Sequence, residues 1–301
     1  MTKSEQEIPE QETGFAKINL ALHVRGRMAA DYHAIETLFA FVDDGDRLTA
    51  DHAEALSLAI EGPFSAKLDG DVDDNLVLRA ARAMAESFAP GRGAALTLDK
   101  RLPVASGIGG GSADAAAAIR LLDRLWGLDR PLAHYEPLAA GLGADVPACL
   151  HSRSAIGRGT GIALDFVDVP GLSDQHILLA NPGVPVATAD IFRRWDGKDG
   201  GALPASDLDA LFAEARNDLE PPAIALVPAI GTLLAAMREE SERVRMSGSG
   251  ATCFALYDSH HDAVTSANAM RARFPAIWTM TGRMRRSACT AASAGPQTMA
   301  S

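Results

Sequence analysis

Cysteine and aromatic side chains are scarce in this chain of 301 residues, which holds 3 Cys, 3 Trp, 3 Tyr and 10 Phe. Cys149, Cys253 and Cys289 are odd in number, far apart and without metal-ligand spacing, which argues against a disulfide framework and a structural zinc site. No apolar run reaches the ~18 residues that a membrane span needs. The opening stretch, MTKSEQEIPEQET, is acidic where a secretory signal would be basic and then apolar. Positive charge is also short: 28 Lys and Arg against 39 Asp and Glu leave a net charge of -11, the wrong sign for tracking nucleic acid or lying on anionic lipid. These absences predict a cytoplasmic protein with no nucleic-acid or membrane partner that must gather any polyanionic ligand locally. A monomer or weak homodimer is a separate expectation, which composition does not fix.

What is present is apolar content enough for one large or two modest domains, with hydrophobic residues at 47%. FAKINLALHV alternates apolar and polar residues with the period of a half-buried strand, so Lys17 and Asn19 share one face. HAIETLFAFVDDGDRLTADHA reads as a strand pair turning at Asp44-Gly45, and LSLAIEG as a further strand. DDNLVLRAARAMAESF reads as a helix capped by Asp73 or Asp74, ALTLDKRLP as a strand, and SADAAAAIRLLDRLWGL as the clearest helix, stopped by Gly127. Past Asp145 come strand and turn in RSAIGRGTGIALDFV and a buried strand in HILLANPGV. Helices follow in ATADIFRRW, LDALFAEA and PAIGTLLAAMREESE. VRMSGSG and TCFALYD read as strands, HHDAVTSANAMRARF as a helix and AIWTMTGR as a closing strand. Strands and helices mix without strict alternation, which predicts an α+β fold. A boundary between Asp165 and Pro170 divides it into domains 14–167 and 168–286, flanked by disordered tails 1–13 and 287–301.

One stretch carries chemistry. PVASGIGGGSADAAAA crowds glycines before a helix start, where backbone N–H groups lie uncovered and the first helical amides have no intrahelical partner. With the helix dipole, such a terminus suits a phosphate chain; the plainer alternative is a flexible turn capped by Ser112. The stretch is not a Walker A loop, since Gly111 is followed by Ser112 and Ala113. Nor is it a Rossmann fingerprint, which needs a third glycine where Ser112 stands.

This segment resembles the glycine loop of the GHMP kinases. FAKINLAL and MSGSGATCFALY resemble the other two motifs of that family, in the same order. The further pieces ADYHAIETLFAFVDDGD, DDNLVLRAA, GLGADVPACL, NPGVPVATADIF and NDLEPPA are similar to the branch whose small-molecule substrate is cytidine diphosphate methylerythritol. Together they spread over most of Phe15 to Arg283. The resemblance implies a two-domain GHMP kinase fold, with an N-terminal domain similar to ribosomal protein S5 domain 2 and a ferredoxin-like C-terminal one, ATP with Mg²⁺ as cofactors, and phosphoryl transfer to an alcohol. A homoserine or mevalonate-type substrate, or nucleotide sensing without catalysis, are the alternatives.

By the same resemblance, Lys17 and Asp145 are the catalytic pair, Asp145 accepting the hydroxyl proton and Lys17 offsetting charge near the γ-phosphate. Pro103, Gly107, Gly109, Gly110, Gly111, Ser112 and Ala113 hold the ATP phosphates, with Asn75 and Lys100 near the adenine. Asn19 faces the substrate. Tyr32 and His33 recognise a cytosine with Phe192 on its opposite face, and Thr188 lies at the far end of the substrate. The metal ligands are unknown. Three departures from the family pattern stand out: Ala30-Asp31 before Tyr32-His33, Val104-Ala105-Ser106 before the glycines, and Asp114 where Asn or a small residue is usual.

Overall fold

The structure, a computed structural model, describes residues 10–29, 32–68, 70–204 and 207–286. The elements in order are β1 (Glu10–Arg27), β2 (His33–Ala53), β3 (Leu56–Glu61), α1 (Leu76–Phe88), β4 (Gly93–Asp99), α2 (Gly110–Leu125), α3 (Glu136–Leu142), α4 (Val146–His151), β5 (Ala155–Gly159), β6 (Ala163–Phe166), β7 (His176–Asn181), α5 (Thr188–Arg193), α6 (Leu208–Glu214), α7 (Glu220–Leu226), α8 (Pro228–Arg238), β8 (Val244–Met246), β9 (Cys253–Tyr257), α9 (His260–Arg273) and β10 (Trp278–Arg283). Among them no helix is long and apolar enough to cross a membrane.

The first six strands form one sheet, in which β1 runs antiparallel to nearly the whole of β2, while β2 also pairs with β5 at its start and β4 at its end. The last four form a second, antiparallel sheet in the order β10-β7-β9-β8. With α8 before β8 and α9 before β10, that sheet has the βαββαβ connectivity of a ferredoxin-like domain. The fold is thus α+β with two sheets, as expected.

Apolar alternation explains how the layers stack. Ala16, Ile18 and Leu20 of β1, with Leu38, Ala40 and Val42 of β2, pack against Ile177, Leu179, Phe254 and Leu256 of the second sheet. Next to the first sheet a cluster unites Phe39, Phe41 and Leu96 with the alanine face of α2 and with α1 and α4. The short alanine side chains let α2 lie close to the strands, so the positions of Lys17 and the helix terminus are fixed by packing rather than by loop conformation.

Three local expectations are corrected. Residues 10–13, assigned to a tail, extend β1 and pair with residues 47–50 of β2; Glu12 is tied there by Arg124 and Arg120. The rest of that tail, and all of 287–301, lie outside the described residues. Asp44-Gly45 is not a turn but the middle of one unbroken strand: a Cβ on Gly45 would fall 2.0 Å from the Gly14 carbonyl oxygen, so glycine permits a close strand crossing. Finally, α1 is capped by Asn75, whose Oδ1 accepts from the Val77 amide at 2.9 Å; Asp71 caps the single 3₁₀ turn before it.

Candidate active site

The central pair of the site joins β1 to α4. Lys17 is 3% exposed yet reaches the Asp145 carboxylate at 3.0 Å, and it donates to Asn19 Oδ1 at 2.8 Å. Asn19 in turn donates to Thr37 Oγ1 at 2.7 Å, and that hydroxyl donates to the Ala21 carbonyl at 2.7 Å. The shared strand face of Lys17 and Asn19 is therefore real, and a chain of hydrogen bonds holds both in single orientations. Asp145 is the residue before α4, but its side chain caps nothing and remains 37% exposed. A carboxylate free of structural duty, facing an ammonium and open to solvent, can receive a proton. Cys149 lies just behind. Burial, reinforced by Asp145, pushes its thiol up to about 12, so it is a neutral wall and not a nucleophile.

The glycine loop closes the site from the side. Gly107 and Gly109 take positive φ values, 77° and 66°, and Gly109 is the N-cap of α2, with no side chain capping the helix. Ser112, which the turn reading made the cap, sits instead in the first turn. The amides of Gly110, Gly111 and Ser112 take no carbonyl among the described residues, while the Ala113 amide bonds the Gly109 carbonyl at 2.7 Å. An anion can occupy the space those three donors face. The Lys17 amide donates to the Ile108 carbonyl at 3.0 Å, so β1 and the glycine loop are stitched directly.

A third segment was expected only as a motif. Ser247, just after β8, accepts from the Asn19 amide at 3.1 Å and donates to the Gly107 carbonyl at 2.9 Å. The Thr252 amide bonds the Ser106 carbonyl at 3.1 Å. Asn217, from NDLEPPA, donates to the carbonyls of Met246 and Gly248, both at 2.8 Å. Sequence reasoning assigned no role to Ser247 or Asn217; small polar residues inside glycine-rich motifs are the signal that points to such backbone staples.

The remaining expected residues divide. Pro103 opens the loop and its carbonyl accepts from Ser106 Oγ at 2.6 Å. Asn75 uses its side chain as a cap, as described. Lys100 departs from expectation: it is 2% exposed, with its ammonium 2.5 Å from Asp46 and 2.7 Å from Asp114, and therefore lies beneath the loop instead of against a base. His33 stacks on Phe192 at 5.0 Å with 33° between the planes, and Tyr32 stands 63% exposed beside it. Trp195, which the sequence reading passed over, meets His33 edge-on at 5.8 Å, and its DIFRRW spacing one turn after Phe192 is the signal for it. Thr188 exchanges a hydrogen bond with Ser249 at 2.9 Å, tying α5 to the loop that carries Ser247. Ala30 and Asp31 lie outside the described residues.

Comparisons agree with this geometry. Residues 75–153 match the model of the GHMP kinases N terminal domain and residues 201–276 that of the GHMP kinases C terminal domain. A 4-diphosphocytidyl-2-C-methyl-D-erythritol kinase of Novosphingobium aromaticivorans is 48% identical over 91% of this chain and 93% of its own. One of Cereibacter sphaeroides is 48% identical over 89% and 97%. A crystal structure of 4-(cytidine 5'-diphospho)-2C-methyl-D-erythritol kinase superposes with a TM-score of 0.77 at 33% identity, covering 92% of this chain and 99% of that one. Homoserine kinase of Cytophaga hutchinsonii, at 19% identity and TM-score 0.66 over 95% of this chain and 99% of its own, shares the fold alone. Family models on both halves and full-length relatives at this identity have one reading: the chain belongs to the 4-diphosphocytidyl-2-C-methyl-D-erythritol kinases of the GHMP kinase family.

Proposed function

We propose that the chain transfers the γ-phosphoryl group of ATP to the 2-hydroxyl of 4-diphosphocytidyl-2-C-methyl-D-erythritol, with Lys17 and Asp145 as the catalytic pair. The observation that carries this reading is the solvent-open Asp145 carboxylate held 3.0 Å from a buried Lys17, next to a helix terminus with three free amides. Phosphoryl transfer asks for positioning and charge neutralisation more than for covalent help. The substrate hydroxyl hydrogen-bonds to Asp145 and attacks Pγ. The new O–P bond forms as the bond from Pγ to the β-bridging oxygen breaks, Asp145 takes the hydroxyl proton, and ADP leaves with the electron pair. Lys17 faces the charge that grows on the transferring group. Gly107 to Ala113 hold the phosphates, which fixes the line of attack. Mg²⁺ neutralises phosphate charge in such reactions; the described residues offer no group of three ligating side chains, so the phosphates and water would hold most of it.

His33, stacked on Phe192 at 5.0 Å, and the exposed Tyr32 would offer the base of the substrate an aromatic face, and a stacked base contributes ~1 to 3 kcal/mol. His33→Ala is therefore expected to raise KM for the cytidine substrate about ten- to hundredfold while kcat changes less than about threefold. Steady-state kinetics at saturating ATP reads both; a fall in kcat with KM unchanged would remove His33 from substrate binding. The substrate itself is tested by offering the cytidine compound, homoserine and mevalonate side by side with ATP. Turnover of the first alone is expected, and turnover of either other compound instead would sink the assignment.

A further inference from the structure

Asp46, Lys100 and Asp114 meet in the interior directly beneath the start of α2. They are 0%, 2% and 3% exposed. A Cβ built on Gly110 would stand 3.0 Å from the Lys100 ammonium and 3.8 Å from Asp46 Oδ2. Two carboxylates thus share one ammonium under a loop that, on the reading above, binds the phosphates of ATP. Were both ionised, the cluster would carry a net negative charge in a buried place, unfavourable in itself and opposed to the anion overhead.

The hydrogen bonds say which carboxylate can give up its charge. Asp46 accepts from Lys100 at 2.5 Å and from the amides of Arg101 and Leu102 at 2.6 and 2.8 Å. Asp114 accepts from Lys100 at 2.7 Å and stands against the Asp46 carboxyl, and its Oδ1 is buried with no hydrogen-bond partner among the described residues. We infer that Asp114 is the positioning residue of the nucleotide loop and works as a neutral carboxylic acid, giving the Asp46–Lys100–Asp114 triad no net charge. Asp46 anchors the chain entering the loop through Arg101 and Leu102, Asp114 anchors the helix leaving it, and Lys100 joins the two. The surroundings support a neutral Asp114. Burial, with Asp46 adding and Lys100 opposing, pushes its carboxyl up to about 8. Burial opposes the Lys100 charge, but Asp114 and Asp46 outweigh it and hold Lys100 above its ordinary value. Charged and titratable groups face the cluster from the neighbouring elements: Cys149 of α4, a neutral thiol; Lys17 of β1, which lies against Gly109 and is paired with Asp145; and Arg120 further along α2, which is committed to Glu12 and to the carbonyls of Thr13, Cys149 and Leu150.

The inference rests on the loop as the phosphate site, and the test separates the two. Dissociation constants for ATP and ADP are measured by direct titration between about pH 7 and about pH 9.5, for the wild type, Asp114→Asn and Gly107→Ala. Loss of the Asp114 proton adds a negative charge beneath the phosphates, so wild-type affinity is expected to fall on the order of tenfold or more across this range. Asn cannot ionise, so the ratio of its constants at the two ends is expected to stay within about twofold. Equal pH dependence in wild type and Asp114→Asn, or none in either, overturns the inference. A role in stability alone would leave that ratio unchanged. Infrared spectra of the wild type at about pH 7 supply a readout that does not depend on a folded variant: a protonated carboxyl C=O band that disappears on alkaline titration is expected, and its absence overturns the proposal. Unaltered nucleotide affinity in Gly107→Ala would instead overturn the loop as the phosphate site.

Discussion

Asp145→Asn is expected to lower kcat by about 10² to 10⁴, the range a positioned base supplies, with both KM values within about threefold of wild type. The asymmetry follows from geometry. Asn fills the same volume and can still hydrogen-bond the substrate hydroxyl, but it cannot take the proton. The side chain is partly exposed and caps no helix, but its partner Lys17 is buried and would keep Asn19 Oδ1 but no carboxylate for its ammonium, so some stability goes with the carboxylate. Single-turnover phosphoryl transfer, measured beside a thermal melt, distinguishes a chemical defect from a structural one. A variant that melts like wild type and retains more than about a tenth of its kcat would take the base role from Asp145. The companion Lys17→Met is expected to be similarly slow, and the double variant much less than multiplicatively worse, because the two residues act as one unit.

Gly107→Ala carries the second large effect, and here structure and activity fall together. Gly107 has φ of 77°, and a Cβ on it would stand 2.5 Å from the Ser247 carbonyl oxygen and 2.7 Å from that of Gly250. Both contacts are backbone, so neither can swing aside. The methyl would wedge the glycine loop away from the segment after β8, breaking the Ser247–Gly107 bond and loosening the Thr252–Ser106 one. Strain and overpacking together are expected to cost about 2 to 4 kcal/mol, and KM for ATP is expected to rise at least about tenfold. Gly91→Ala is the control. Its φ is 79° but nothing lies within 4 Å of the added atom, so about 1 kcal/mol of stability should go with KM for ATP unchanged. Equal KM effects in the two variants would mean that strain, and not the loop contact, governs nucleotide binding.

The legible parts of this molecule were those written in local pattern. Period-two alternation placed Lys17 and Asn19 on one face of β1, and the glycine run marked the start of α2 to within two residues. Where sequence reading went astray, tertiary contact had overruled a local signal. Asp44-Gly45 has the chemistry of a turn, but the close approach of Gly14 gives the glycine a different use. Lys100 is expected near the adenine by resemblance, and only the folded chain brings Asp46 and Asp114 to it. The helices α3, α4 and α7 were not foreseen; each has a proline in its first turn, a breaker signal in isolation that is a normal helix start in context. The spacing in DIFRRW sets Trp195 one turn after Phe192, but its edge-on contact with His33 shows only in the fold, since it crosses from β2 to the residues after α5.

Ser247 also sets the order in which this protein becomes competent. Its two site bonds reach back 228 residues to Asn19 and 140 to Gly107, so they close long loops that local elements cannot close for them. A chain emerging from the ribosome can pair β1 with β2 and form α2 well before β8 exists. The glycine loop, however, lacks its outer wall until the segment after β8 arrives. Nucleotide binding through this loop is thus expected among the last properties acquired during synthesis, after most of the first sheet is in place, and a nascent chain halted before β8 would hold Lys17 and Asp145 beside an unwalled glycine loop.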